Sequence, residues 1–238
     1  MTDREVLESF LRCSLGSPDE VFEKFLTLED AKIYGQKDCV YVPGTRKDRV
    51  LLVAHADTVF TEHHGKHKFI LDASGVYRSQ DESVGLGADD RAGCAILWLL
   101  KDSGHSLLIT NDEEKGSLGA DSIKSSYKAL FDEFNEHQYM LEFDRRNSRD
   151  YKVYNIPVTK EFKIFIESET GYIEADNRSS TDITVLCEKI CGANLSVGYY
   201  SEHKHDEHLV LNEWQNTLNT ARKLLEGEQK KFPVKAII

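Results

Sequence analysis

The chain has 238 residues, of which 40% are hydrophobic and 30% are charged, and its formal net charge is −11. This length is sufficient for a sizeable core, and the acidic charge argues against a nucleic-acid partner, because phosphate binding requires a basic face. No apolar run approaches the roughly 18 residues of a membrane span, and the five scattered cysteines and the absence of a signal-peptide pattern at the start favour a reducing cytoplasm.

Strand-like apolar runs alternate with helical patterns along the chain. The predicted strands cover residues 50–54, 68–71, 106–110, 139–143, 162–166 and 195–199. The predicted helices cover residues 6–15, 19–28, 91–101, 117–134, 182–189 and 213–225. This alternation favours an α/β sandwich with a mixed sheet, and the lack of a Gly/Ser-rich or Pro-rich linker favours one domain over residues 1–238.

Open α/β sheets bind ligands beyond the carboxyl ends of their strands, and the first such end carries His55 and Asp57. Side chains two apart in an extended segment share a face, so these two can touch. A carboxylate on one imidazole nitrogen fixes the tautomer and leaves the other nitrogen free for a metal. The alternative is an ordinary histidine beside a surface aspartate.

The glycine-containing segment 85–93 contains Asp89 and Asp90. A phosphate-binding loop is a poor interpretation, because Asp90 stands where the third glycine of the G-x-G-x-x-G pattern belongs. Small residues around an acid let the backbone approach closely, which would place Asp89 in a crowded site. Alternatively, one of the two aspartates caps the helix predicted near Arg91.

Two adjacent acids, Glu113 and Glu114, follow the strand predicted at 106–110. Burying like charges side by side is costly unless a cation offsets them. With a metal ion present, one carboxylate could be a ligand while the other moves a proton. A solvated acidic turn is the alternative.

Two later segments could complete such a site. Asp144 follows the strand predicted at 139–143, although an ion pair with a neighbouring arginine would also explain it. The segment 199–209 contains three histidines, but the H-x-x-E-H zinc motif would need a histidine where Lys204 stands. A single ligand from this segment, joined to distant ones, stays open. The histidines at 63, 64 and 67 lie in a polar loop and are expected to be solvated.

The order of these groups is His-x-Asp, Asp, Glu-Glu, Asp, His. It supplies two histidines and three carboxylates as possible metal ligands. It also supplies one further acid, and an acid two residues after the first histidine. This donor set suits two zinc ions that share a bridging carboxylate.

The combination resembles the co-catalytic zinc exopeptidases (clan MH), the group that contains peptidase T, glutamate carboxypeptidase and the bacterial leucyl aminopeptidases. The matching segments are 55–59, 87–93 and 112–117, together with Asp144 and the pair His203 and Glu207. The resemblance spans about residues 50–210 and is closest to peptidase T.

The resemblance implies a three-layer α/β sandwich with a mixed, mostly parallel central sheet flanked by helices. It also implies two divalent metal ions, Zn²⁺ in the first instance, with Co²⁺ or Mn²⁺ as alternatives. His55 and Asp144 would bind one ion, Glu114 and His203 would bind the other, and Asp89 would bridge them.

Two further roles follow from the same resemblance. Asp57 would orient His55, and Glu113 would be the general base. His203, rather than the other two histidines of its segment, matches the family pattern H-x-x-x-E together with Glu207.

Peptidase T and its close relatives insert a lid domain between the fourth and fifth ligands. Here the stretch between Asp144 and His203 is already filled by predicted strand, loop and helix, so no lid domain fits. Lidless relatives are chiefly aminopeptidases, which implies a short peptide as substrate. An N-acyl amino acid deacylase or a catalytically silent metal-binding domain are the alternatives. Arg178 could contact a substrate carboxylate, or form a surface salt bridge.

Overall fold

The computed structural model describes residues 1–175 and 179–235. The helices in this part of the chain are α1 (Asp3–Leu11), α2 (Asp19–Phe25), α3 (Ala88–Leu99), α4 (Leu118–Ser126), α5 (Lys128–Phe134), α6 (Lys160–Thr170), α7 (Asp182–Leu186) and α8 (Leu211–Glu226). The strands are β1 (Lys32–Tyr34), β2 (Cys39–Val42), β3 (Leu51–His55), β4 (Phe69–Leu71), β5 (Val76–Ser79), β6 (Ser106–Thr110), β7 (Met140–Arg145), β8 (Asp150–Lys152), β9 (Ile173–Glu174), β10 (Gly192–Ser196), β11 (Tyr199–Tyr200) and β12 (His208–Val210).

Eight strands form the main sheet in the order β1-β2-β6-β3-β7-β10-β8-β9. The four central strands β6, β3, β7 and β10 run parallel, and their residues are almost all buried, as expected of strands covered on both faces. Toward the edges the pairing is antiparallel, between β1 and β2, between β2 and β6, and between β10 and β8. The predicted mixed, mostly parallel sheet is confirmed.

Helices flank this sheet. α3 packs against β3, β7 and α1, while α4 packs against α5 and α7, and α6 packs against α8. The four parallel strands end at one edge of the sheet, so the residues that follow them meet there. No helix within residues 1–175 and 179–235 is long and apolar enough to cross a membrane.

A smaller sheet has the strand order β11-β12-β5-β4. Its strands β11 and β12 pair antiparallel, so residues 201–207 form the hairpin loop between them. The hydroxyl of Tyr199, in β11, donates a hydrogen bond to Asp144 of β7. This contact ties the hairpin to the carboxyl edge of the main sheet.

The strand predicted at 162–166 is wrong, because these residues lie inside helix α6. Phe162 and Ile166, which are four apart, are buried, whereas Ile164 between them is 53% exposed. A spacing of four residues between buried side chains is that of a helix face. The sequence does not reveal it, because the run is short and rich in the aromatic and β-branched residues that favour strands.

Other predicted elements differ in extent. The helix predicted at 117–134 is divided at Tyr127, whose backbone leaves the helical region with φ −120° and ψ 57°. The strand predicted at 195–199 belongs to two strands, β10 and β11, separated by a turn in which Gly198 has φ 90°. The predicted strands do not include β1, β2, β5, β8, β9 and β12, because each of these is only two to four residues long.

The expectation of solvated histidines is wrong for His67, which is 2% exposed. Its backbone N–H donates to the carbonyl of Arg12, just after α1, and its ring packs edge-on against His63 at a centroid distance of 5.4 Å. His64, in the same loop, is exposed as expected.

A buried histidine at the amino-terminal end of the parallel strands is held in its neutral form. The Nδ1 of His137 faces the carbonyl oxygens of Glu133 and Phe134 at 3.0 and 3.1 Å. Its Nε2 therefore accepts from Ser106 Oγ at 2.8 Å and from the guanidinium of Arg49 at 3.2 Å. Burial, together with the Arg49 charge, lowers the pKa of His137 to about 4.

This depressed pKa predicts a loss of stability in acid. Below pH about 6.5 the unfolded chain takes up a proton at this histidine, whereas folded His137 stays neutral until about pH 4. We expect the unfolding free energy of the wild type to fall by about 2–3 kcal/mol more than that of His137→Gln between pH 7 and pH 4, measured by urea denaturation. Exposed His64→Gln, the matched control, should follow the wild type. Parallel pH profiles for wild type and His137→Gln would contradict this assignment.

Candidate metal centre

The five residues predicted as metal ligands converge at the carboxyl edge of the main sheet. His55 ends β3, Asp144 lies near the end of β7, and Asp89 lies at the start of α3. Glu114 belongs to a short 3-10 turn, Glu113–Lys115, after β6, and His203 lies in the hairpin loop between β11 and β12. The ends of the parallel strands and one hairpin therefore bring these residues together, although the first and the last of them, His55 and His203, are 148 positions apart in the sequence.

The His55 ring is placed between carboxylates. Its Nδ1 lies 3.2 Å from Oδ1 of Asp57, and its Nε2 lies 3.0 Å from Oδ1 of Asp89 and 3.4 Å from Oδ1 of Asp144. His55 is 1% exposed and Asp57 is 8% exposed, so the alternative of a histidine beside a surface aspartate is excluded. Asp57 fixes the ring, and Nε2 is directed at the two carboxylates.

The second histidine faces the other oxygen of the same aspartate. Nε2 of His203 lies 2.9 Å from Oε2 of Glu114 and 3.2 Å from Oδ2 of Asp89. His205 is exposed, and His208 stacks on Tyr200 while its Nδ1 contacts the Asp206 carbonyl. Among the three histidines of this segment, His203 is therefore the one that reaches the carboxylates.

Asp89 thus presents one carboxylate oxygen to each histidine. This is the arrangement that a bridging ligand between two metal ions needs. The helix-capping alternative holds for the neighbouring Asp90 and not for Asp89. The backbone at both aspartates is not helical, so the regular helix begins at Arg91, and one oxygen of Asp90 accepts from the N–H of Gly93, three residues on, at 2.9 Å. The other oxygen of Asp90 accepts from the N–H of His55 at 3.3 Å.

The charges at this edge are unbalanced in the absence of a cation. Burial, with the nearby Asp144 carboxylate, raises the pKa of Glu113 to about 9, and burial raises the pKa of Asp144 to about 7. Hydrogen bonds to Asp89 and Glu114 raise the pKa of His203 to about 11. Burial would raise the pKa of Asp89, but hydrogen bonds from His203 and His55 outweigh it and lower that pKa. Without a metal, protons must supply the positive charge that these carboxylates require.

The donor set fits a divalent metal. One atom each from His55, Asp89 and Glu114 lies within 4.8 Å of the others, and the same holds for His55, Asp90 and Asp144. Oε1 of Glu114 is buried without a hydrogen-bond partner in the described part of the chain. Because the Asp90 oxygens already hold two backbone N–H groups, Asp89 is the better partner for His55 and Asp144. Imidazole and carboxylate groups at such spacing are typical zinc donors.

Several residues position these groups, and the first of them is Asp57. Besides the His55 ring, its carboxylate accepts the backbone N–H groups of Glu113 and Glu114, both at 3.2 Å. Asp57 therefore connects the first histidine to the turn that carries the acidic pair. Hydrogen bonds from His55 outweigh burial and lower the pKa of Asp57, which keeps it ionised.

Glu207 positions the central aspartate. Its carboxylate is 1% exposed and accepts from the backbone N–H groups of Gly87 at 2.7 Å and Asp89 at 3.0 Å. Arg91, also fully buried, donates to the carbonyl of Ala56, between His55 and Asp57, and to that of Ser14 at 2.7 Å. In the sequence, Glu207 is marked only by the H-x-x-x-E pattern that it forms with His203. Arg91 is marked there only as an arginine that follows two aspartates.

Asp144 is held from two further sides. Tyr199 donates to its Oδ1 at 3.1 Å and Thr181 donates to its Oδ2 at 3.1 Å. The role of the Tyr199 hydroxyl is not predicted, because a lone Tyr carries no distinctive sequence signal. Arg178, which the sequence suggested as a contact for a substrate carboxylate, lies outside the described residues.

A cleft opens over the site. Glu113, Asp89, Asp144 and His203 line it. Glu113 makes no side-chain hydrogen bond to the two histidines among the described contacts, so its carboxyl faces the cleft as a free acid or base. A molecule in the cleft would contact the carboxylates of Asp89 and Asp144, the ring of His203 and the carboxyl of Glu113.

No protein-family model matches this chain, and no curated protein is significantly similar to it in sequence. Solved structures do match its fold. Aminopeptidase PepT from Bacillus cereus is 13% identical, with a TM-score of 0.68, and the match covers 95% of this chain and 98% of that chain. A tripeptidase from Staphylococcus aureus is 12% identical, with a TM-score of 0.69 and the same coverage of 95% and 98%.

TET1 peptidase from Pyrococcus horikoshii is 14% identical, with a TM-score of 0.66, and the match covers 94% of this chain and 99% of that chain. At identities this low the likeness concerns backbone architecture. The chain therefore has the fold of the PepT-like and TET-type aminopeptidases.

Proposed function

We propose that this protein is a metal-dependent exopeptidase, an aminopeptidase that cleaves short peptides with water activated by two divalent metal ions. The observation that supports it most is the carboxylate of Asp89, whose two oxygens face His55 and His203 at 3.0 and 3.2 Å. A shared carboxylate between two imidazoles is the arrangement a dinuclear hydrolase requires.

The proposed ligands are those that the sequence suggested. His55 and Asp144 would hold one ion, Glu114 and His203 the other, and Asp89 would bridge them. Zn²⁺ suits this mixture of imidazole and carboxylate, and Co²⁺ or Mn²⁺ could occupy the same ligands. We also propose that residues 1–238 form a single catalytic domain without an inserted lid. The five cysteines are buried and free, which supports a reducing, cytoplasmic location.

The chemistry is divided between the ions and the chain. Two bound ions supply Lewis acidity, which polarises the scissile carbonyl and lowers the pKa of an attacking water. Glu113 would take the proton of that water and later deliver it to the leaving amine. Asp57 keeps Glu113 in place through the backbone of the turn.

Replacing the base should separate catalysis from metal binding. Glu113→Gln removes the proton acceptor but no proposed ligand, so we expect kcat to fall by about 10²–10⁴ while two zinc ions still bind. Hydrolysis of leucyl-glycine and the bound zinc per chain would be measured on the same preparations. Glu82→Gln, a change at an exposed glutamate, is the matched control. Turnover by Glu113→Gln within a few-fold of the wild type would rule out its role as base.

Replacing a ligand should instead lower the metal content. His203→Gln removes a donor from one ion, so we expect bound zinc to fall from two per chain towards one, with activity lost in parallel. His205→Gln changes an exposed histidine of the same loop and should retain two ions. Elemental analysis after dialysis against zinc-containing buffer measures both. Equal zinc content in the two variants would remove His203 from the ligand set.

The choice between peptides and N-acyl amino acids depends on the substrate amine. An aminopeptidase should hydrolyse leucyl-glycine at least tenfold faster than N-acetyl-leucyl-glycine, because a free amine can approach the metal ions and the surrounding carboxylates. Rates on this pair, measured with the zinc-loaded protein, decide between the two activities. Faster cleavage of acyl amino acids than of free-amine peptides would indicate a deacylase.

A further inference from the structure

The cleft over Glu113 contains charged groups that the proposed reaction does not use. Besides the acids and His203 already described, its charged lining residues in the described part of the chain are Arg145, Arg146 and Glu202. Two cationic side chains at the border of a strongly acidic site call for an explanation, because the rest of this site is built to attract positive charge.

The two arginines differ in how they are engaged. The Arg145 side chain is 5% exposed, and its Nε donates to Oδ1 of Asp150 at 2.8 Å. Arg146 is 47% exposed, and its Nη1 contacts the carboxylate of Glu202. The guanidinium of Arg146 has further N–H groups, so it can bind a second carboxylate or exchange the one it has.

The ion pair between Arg146 and Glu202 can be exchanged for another. The Arg146 side chain is 47% exposed and that of Glu202 is 19% exposed, so water screens the pair from the arginine side, and both side chains lose freedom in forming it. A guanidinium binds a carboxylate best through two parallel hydrogen bonds, a geometry that Lys or a surface water cannot reproduce. An incoming carboxylate of suitable geometry can therefore take the place of Glu202.

The position of the pair matches the end of a short peptide. Arg146 follows Asp144 by two residues, and Glu202 immediately precedes His203, so the pair adjoins both proposed metal ligands. A peptide whose scissile amide lies at Glu113 extends by about 3.3–3.6 Å per residue, so its free C-terminus lies in the same cleft if it has only two or three residues. Longer peptides would carry their carboxylate out of the cleft.

We propose that Arg146 binds the C-terminal carboxylate of a di- or tripeptide substrate, and that Glu202 occupies the guanidinium when no peptide is present. This rests on the proposed aminopeptidase function, which it narrows to very short peptides with a free carboxyl end. Arg146 is then a specificity-determining residue, and Glu202 is a competitor for it within the chain.

Peptide binding, rather than turnover, tests this directly. Zinc-loaded Glu113→Gln protein would be titrated calorimetrically with alanyl-alanine and with alanyl-alanine amide, which differ only in the terminal carboxylate. We expect the acid to bind about tenfold more tightly than the amide. Adding Arg146→Gln should abolish this difference by weakening acid binding alone. Adding Arg149→Gln, at an exposed arginine of the same turn, should leave it unchanged.

Glu202→Gln distinguishes competition from a purely structural ion pair. If Glu202 competes with substrate, removing its charge should tighten binding of the acid several-fold and leave the amide unaffected. If the pair only holds the His203 loop, Glu202→Gln and Arg146→Gln should act in the same direction, with lower zinc content and weaker binding of both peptides. That second pattern would overturn the proposal.

The remaining outcomes are also decisive. Equal affinities for acid and amide in the Glu113→Gln background would refute the role of Arg146 while leaving the aminopeptidase proposal intact. Failure of both peptides to bind zinc-loaded protein would refute both. In the wild type, kcat/KM for the acid over the amide should change with the same variants and in the same directions.

Discussion

The structure depends on one electrostatic constraint, which is that the carboxyl edge of four parallel strands carries more buried negative charge than the described chain can offset. Asp57, Asp89 and Asp144 lie within 3.4 Å of a single imidazole, and Glu113 and Glu114 adjoin them. Such crowding is stable only with cations or with protons on several of the acids. The proposed pair of divalent ions would satisfy all of them at once.

Backbone hydrogen bonds, rather than the site side chains themselves, keep this charge in place. Glu207 holds the N–H groups of Gly87 and Asp89, and Asp90 holds those of His55 and Gly93. Arg91 contributes the buried positive charge, and it is satisfied by carbonyl oxygens instead of a carboxylate. The proposed ligands therefore stand on backbone that is held by residues outside the ligand set, which lowers the conformational cost of binding.

How much of this was predictable from sequence differs between residues. His55 with Asp57, and Glu113 with Glu114, could be placed because they follow apolar runs, and a parallel sheet gathers such ends together. The choice of His203 came from resemblance, and of the three histidines in its segment it is the one that lies within 3.2 Å of Glu114 and Asp89. Their catalytic roles stay predictions.

Residues that act by packing or by long-range contact could not be found in this way. Phe162 and Ile166 form a helix face that a five-residue apolar run does not reveal, and His67 is enclosed only because its loop contacts the end of α1. The pairing of Arg146 with Glu202 joins positions 56 residues apart, and no local pattern marks it. Tyr199 carries a hydroxyl of common type whose importance arises from where Asp144 lies.

The central claim is that Asp89 bridges two metal ions. An anomalous difference map from zinc-soaked crystals, recorded at the zinc absorption edge, tests it most directly. We expect two peaks, one within bonding distance of His55, Asp144 and Asp89, and the other within bonding distance of Glu114, His203 and Asp89. A single peak that Asp89 does not contact, or no peak at these residues, would contradict it.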